Sequence, residues 1–180
     1  MQLASLSDSR VWLGRALAGL QAGVLGSLVM LLFLMLGSVW SGRSVWNLPN
    51  LLATAFAGPD AYRNHYTRTT PGGIALIVVI YGLLGVCWGL MAGKNQPKWL
   101  PLAGLAAGLA VYEIFFGLIW KQTRPLIALY APDRQLMAAH LLWGVLLTRS
   151  VPFLRALRSS PESRYEADDI IRSGATKYSA

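Results

Sequence analysis

Four apolar stretches, 16–40, 74–92, 100–120 and 135–154, punctuate this chain of 180 residues. A bilayer's hydrocarbon core is about 30 Å thick, and a helix crosses it in roughly 20 mostly apolar residues. Each stretch reaches or approaches that length. Inside lipid a backbone must satisfy its own hydrogen bonds, so the stretches are expected to be helices. The expected fold is all-α and integral to a membrane: a four-transmembrane-helix bundle over 1–154 with a polar tail over 155–180. Little length is left for a second folded unit.

Charged residues are 13% of the chain, about half the share usual in soluble domains. The formal net charge is +8, and the basic residues sit between and beside the apolar stretches. That placement suits lipid headgroups, so the bilayer is the expected partner. No basic run is interleaved with aromatics, so nucleic acid is not expected. Cys87 is the only cysteine; it can form no internal disulfide and reads as a small packing residue. The first stretch is far longer than the roughly 7–15 apolar residues of a cleavable signal, so it is expected to remain as an anchor.

Small residues recur at helical spacing. Gly14, Ala18, Ala22 and Gly26 form one row on the first span, with Gly19, Gly23 and Ser27 beside it. Gly85, Gly89 and Gly93 repeat the device on the second span, and Gly104 and Gly108 on the third. Such rows let helix backbones approach closely. Ser7 and Asp8 read as caps that start the first helix near Ser9. In the loop 41–73, Asn47-Leu48-Pro49-Asn50 opens a short interfacial helix and Gly58-Pro59-Asp60 closes it. The polar turn 94–98 makes spans two and three an antiparallel hairpin. The segment 125–130 reads as interfacial, Asp133 as the cap of the fourth helix, and Pro152 as its kink or end. In the tail, 160–172 could form a brief helix in an otherwise partly disordered segment.

An even number of spans puts both termini on one side. That side carries Arg10, Arg15, Lys94, Lys98, Arg149, Arg155 and Arg158, against Arg43, Arg63, Arg68, Lys121, Arg124 and Arg134 on the other. Seven basic residues against six favour cytoplasmic termini.

Glu113 is the only acid and His140 the only histidine within a span. An ionised carboxylate at the bilayer centre costs on the order of 3 kcal/mol. Glu113 has Ala106, Ala110 and Gly117 at helical spacing, and His140 has Gly144. Both residues are therefore expected to face the bundle. At 1.5 Å per residue, Glu113 and His140 lie about 12 and 9 Å from the same membrane boundary, with Tyr81 at similar depth on the second span. Tyr81, Glu113, His140 and Trp143 are the candidate intramembrane polar layer.

Three roles compete for that layer. It could be a hydrogen-bonded glue that fixes helix register. It could be a proton or ion relay, since histidine titrates near neutral pH. Alternatively, His140 in Ala138-Ala139-His140-Leu141-Leu142-Trp143 could be the axial ligand of a haem or chlorophyll, and that segment looks somewhat like the pigment-binding stretch of bacterial antenna polypeptides. No other metal or cofactor is expected. No hydrolase, phosphate-loop, dinucleotide or zinc motif is present, so the chain is not expected to be an enzyme.

The run Ala18-Gly19-Leu20-Gln21-Ala22-Gly23 and the segment His140-Leu141-Leu142-Trp143-Gly144 resemble small four-span bacterial inner-membrane proteins of the YagU-like kind. The resemblance implies that topology and a multi-pass place in the inner membrane; it implies no activity. The leading expectation is an accessory or scaffold subunit whose small-residue faces pack on partner helices, from other subunits or a second copy. The alternatives are a small proton- or ion-coupled transporter using Glu113 and His140, and a tetrapyrrole-binding subunit.

Overall fold

The computed structural model describes residues 2–92 and 99–158. Every regular element among the described residues is helical. Four helices are long and apolar enough to cross a membrane: Val11–Trp40, Thr70–Met91, Leu100–Thr123 and Asp133–Leu154.

The first, α1, runs unbroken from Gln2 to Trp40. It starts before the Ser7–Asp8 caps because no glycine or proline interrupts the chain ahead of Gly14, and an established helix propagates through ordinary polar residues. The short helix α2, Asn47–Ala57, ends at Gly58, whose φ of +79° a side chain would resist. A 3₁₀ turn, Pro59–Ala61, follows. The second span is α3, Thr70–Met91.

The third span is composite. An α-helical part α4, Leu100–Tyr112, passes into a π-helical segment, Glu113–Ile119, and then a closing turn α5, Trp120–Thr123. The short α6, Pro125–Tyr130, leads to α7, Asp133–Leu147, and α8, Ser150–Arg158. Asp133 is the first helical residue of α7 and makes no capping bond; Pro132 holds the cap position. The fourth span breaks at Thr148 and Arg149, not at Pro152. Proline sits comfortably in the first turn of α8, where its missing N–H costs nothing. The turn 94–98 and the tail 159–180, with its expected helix, lie outside the described residues.

α1 is the organising element. It packs along α3 on one side and α7 on the other, and also touches α2 and α8, whereas α4 packs chiefly on α7. The spans thus follow the order α3, α1, α7, α4, and the expected hairpin pairing of spans two and three is replaced by separate partners. Glycine explains the choice. A Cβ on Gly19 would stand 2.9 Å from the Gly89 Cα, and one on Gly23 2.9 Å from the Gly85 Cα. On the other side, a Cβ on Gly108 would stand 3.0 Å from the His140 carbonyl carbon, and one on Gly104 3.2 Å from that of Gly144. A Cβ on Gly26 would meet the Trp143 ring at 2.7 Å. These small residues are consumed between spans of one chain, where close backbone approach maximises dispersion contact.

The short α2 is no loosely seated surface helix. Leu48, Leu51, Leu52 and Ala53 are buried, and at Gly73 the start of α3 comes so close to the Pro49 carbonyl that a side chain could not fit. Asn50, fully buried, donates to the carbonyls of Arg63 (2.6 Å) and His65 (2.8 Å) and accepts from Thr70 Oγ1 (2.6 Å). Thr70 in turn accepts from the Thr67 N–H at 2.8 Å. One amide side chain therefore pins the connection between α2 and α3.

Candidate functional site

His140 lies in the middle of α7 and is wholly buried. The glycine contacts of α4 with α7 place its helix flush against the third span. Across from it, Tyr81 on α3 brings its hydroxyl to 2.5 Å from His140 Nε2. Nδ1 stands 2.6 Å from the Leu136 carbonyl, one turn back on the same helix. A carbonyl oxygen can only accept, so Nδ1 carries the proton and Nε2 accepts from the tyrosine hydroxyl. Both ring nitrogens are satisfied without a third group.

Aromatic rings surround this pair. Trp143 meets Tyr81 edge to face at 5.1 Å between centroids. Tyr112 and Phe116, from the third span, meet the His140 ring at 5.5 and 5.6 Å. Phe115 faces Tyr81 at 6.4 Å. The edge-to-face contacts of Trp143, Tyr112 and Phe116 add directional attraction to simple burial. Trp143 lies against α1 at Gly26, and its Nε1 has no hydrogen-bond partner among the described residues. A narrow apolar cleft of about 20 Å³ adjoins the pair, lined by Met30, Leu34, Ile77, Tyr81, Phe116 and Leu136 among others. Such a lining has too few polar groups to hold a water molecule.

The structure thus brings together Tyr81, His140 and Trp143. Glu113 stands apart: it is exposed on the outside of the third span. The inward face of α4 is set by Gly104, Gly108 and then Tyr112, in steps of four. Glu113 is one residue further, about 100° around the helix. The small neighbours Ala106, Ala110 and Gly117 mark a different face from the one that packs. The carboxylate lies along its own helix, with Oε2 at 2.9 Å from where a Gly117 Cβ would stand. Cys87 is also exposed, so it does not fill the packing role expected of it.

Two contributors escape the sequence reading. Tyr112 takes the inward position assigned to Glu113; its spacing of four from Gly108 was the available signal. The Asn50–Thr70 node had only an asparagine amid leucines to announce it.

Chemically, the Tyr81–His140 pair is a closed unit. No hydrogen bond joins it to Glu113 among the described residues. Among the described residues no group of three histidine, cysteine, aspartate or glutamate side chains could hold a metal ion. An axial bond from His140 Nε2 to a tetrapyrrole would first require Tyr81 to leave, because that nitrogen's lone pair is in use.

No family model, curated protein or solved structure matches this chain.

Proposed function

We propose that this chain is a multi-pass protein of a bacterial inner membrane, with cytoplasmic termini, and that it serves as a non-catalytic assembly subunit. Its third span is the docking surface for a partner helix. The small-residue rows no longer argue for partners, since they are occupied within the chain. The observation that carries the reading is Glu113, an exposed carboxylate near the middle of a helix long and apolar enough to cross a membrane.

Glu113 lies about 20 Å along the helix from Leu100 and about 15 Å from Thr123 at ordinary helical rise. Left against acyl chains it would cost on the order of 3 kcal/mol. A partner helix offering a cation or a hydrogen-bond donor at that depth removes the cost. The span itself is the least covered of the four: 17% of its most apolar stretch is buried inside the protein, against 44% for the first span. The π-helical segment beginning at Glu113 adds support, because π turns are uncommon and recur at functional positions.

The test is purification in a mild detergent followed by native mass spectrometry. The wild-type chain is expected in a stoichiometric complex, with a different membrane protein or a second copy, and Glu113→Leu in a partner-free form. A wild-type particle that is strictly monomeric and partner-free would overturn the proposal.

A further inference from the structure

At the loop-side end of the third span, a concave pocket of about 360 Å³ lies between the last turn of α2 (Thr54, Ala55, Phe56) and the residues that join α5 to α6 (Thr123, Arg124, Pro125, Leu126). We infer that this pocket binds the phosphate of an anionic phospholipid through Arg124.

The local sequence builds the feature. Pro125 disfavours helical geometry at the residue before it, and Arg124 has φ −144° and ψ 73°, outside the helix on either side. That break turns its side chain toward α2, where Nε donates to the Ala55 carbonyl at 3.1 Å. The bond anchors one edge of the guanidinium on a helix C-terminus, where a cation is favoured. The two terminal nitrogens make no hydrogen bond among the described residues, and they form the edge that suits a phosphate bidentately.

The surroundings select the ligand. The Thr54 and Thr123 hydroxyls donate to the carbonyls of Leu51 and Ile119, so they offer an anion no proton. Asp60, on the turn beside Pro59, is exposed and forms no salt bridge with Arg124. Lys121 lines an adjoining open depression with Pro125, Leu126 and Leu129. Phe56 and Leu129 project nearby, 57% and 76% exposed. Cations beside projecting apolar side chains at the end of a membrane-length helix match a headgroup with its acyl chains below. A free phosphate would use the cations and leave the apolar side chains in water.

The site rests on the proposed membrane insertion and is independent of the Glu113 partner. The experiment uses the full chain in a mild detergent with equal amounts of phosphatidylglycerol and phosphatidylcholine, read by native mass spectrometry. Wild type is expected to retain the anionic lipid about tenfold over the zwitterionic one, the ratio given by roughly 1.4 kcal/mol. Arg124→Gln should bring the ratio near one. Arg124→Lys should also lower it, since an ammonium keeps the charge and loses the Ala55 anchor. Lys121→Gln leaves the pocket intact and should reduce the ratio less. Equal retention of the two lipids by wild type would overturn the inference. So would an unchanged ratio in Arg124→Gln, or displacement of the lipid by millimolar inorganic phosphate. Should Arg124→Gln fail to fold, the wild-type lipid ratio and the phosphate competition still decide. A chain soluble without detergent would sink the membrane reading itself, a result distinct from unselective lipid binding by an inserted protein.

Discussion

The hydroxyl of Tyr81 donates to Nε2 of His140 at 2.5 Å, joining the second span to the fourth across the face of α1. Neither residue has a second inter-helical polar partner among the described residues. His140 spends its other nitrogen on Leu136 of its own helix. The bond therefore fixes the depth of α3 relative to α7, while the glycine contacts fix only how closely each helix approaches its neighbour.

A double-mutant cycle on this pair should show direct coupling. Tyr81→Phe leaves a buried acceptor without a donor, and His140→Phe leaves a buried hydroxyl without an acceptor. Each substitution should destabilise the fold by about 1 kcal/mol or more. The coupling energy should fall between roughly 0.5 and 2 kcal/mol, the range of inter-helical hydrogen bonds in membranes. Equilibrium unfolding in mixed micelles measures it. Strictly additive single effects would mean that the bond contributes no net coupling.

The glycine seams predict a contrast between two alanine substitutions. A Cβ on Gly85 would stand 2.6 Å from the Gly23 Cα and 2.9 Å from the Gly23 nitrogen, both backbone atoms that cannot move aside alone. Gly85→Ala should force α1 and α3 apart and cost about 1–3 kcal/mol. A Cβ on Gly14 meets only the Leu154 Cδ1, at 3.6 Å. Gly14→Ala should be neutral or slightly stabilising, since alanine is the better helix former. Thermal aggregation midpoints of the two variants in one detergent make the comparison. Equal losses would show that close approach at Gly85 is not what holds the seam.

How far these features could be read from sequence depends on which coordinate they need. Span position follows from apolar length, and the structure has membrane-length helices close to the expected bounds. Depth follows from residue counts, which is how Tyr81, His140 and Trp143 could be grouped. Azimuth does not follow so simply. Glycine and alanine surround both sides of the third span, so spacing alone could not separate the Gly104–Gly108–Tyr112 face from the one carrying Glu113. Pairing was equally hidden. A short connection suggested that spans two and three are partners, but backbone contact along the glycine rows joined α3 to α1 and α4 to α7 instead. The break at Thr148 and Arg149 left no signal as conspicuous as Pro152.

Asn50 should matter more than a lone polar residue in a short helix suggests, since it is fully buried. Its side chain satisfies two carbonyls of the segment leading to α3 and takes the Thr70 hydroxyl. Asn50→Ala takes the donor from the Arg63 and His65 carbonyls and the acceptor from the Thr70 hydroxyl, at a cost of roughly 1–3 kcal/mol. The connection at 62–69 should then loosen before the spans do. Limited proteolysis with trypsin reads this directly, through faster cleavage after Arg63 and Arg68 with the spans still protected. Cleavage rates matching wild type would show that the node does not restrain the connection.

Glu113 separates stability from assembly, and three substitutions exploit this. If the carboxylate faces acyl chains in the isolated chain, Glu113→Leu removes a penalty on the order of 3 kcal/mol and should raise the unfolding midpoint of the monomer. The same substitution removes the group a partner helix would recognise, so recovery of the complex should fall. Glu113→Gln keeps a hydrogen-bonding side chain of similar size and should retain part of the association. Glu113→Lys places a cation where the partner offers a donor or cation, and should abolish association through like-charge repulsion and unmet desolvation. Unfolding midpoints and the recovered mass of the complex, measured on the same preparations, distinguish this from an inward structural role. If Glu113 supported the bundle itself, Glu113→Leu would lower stability and assembly together, and the third span would lose its claim as a docking face.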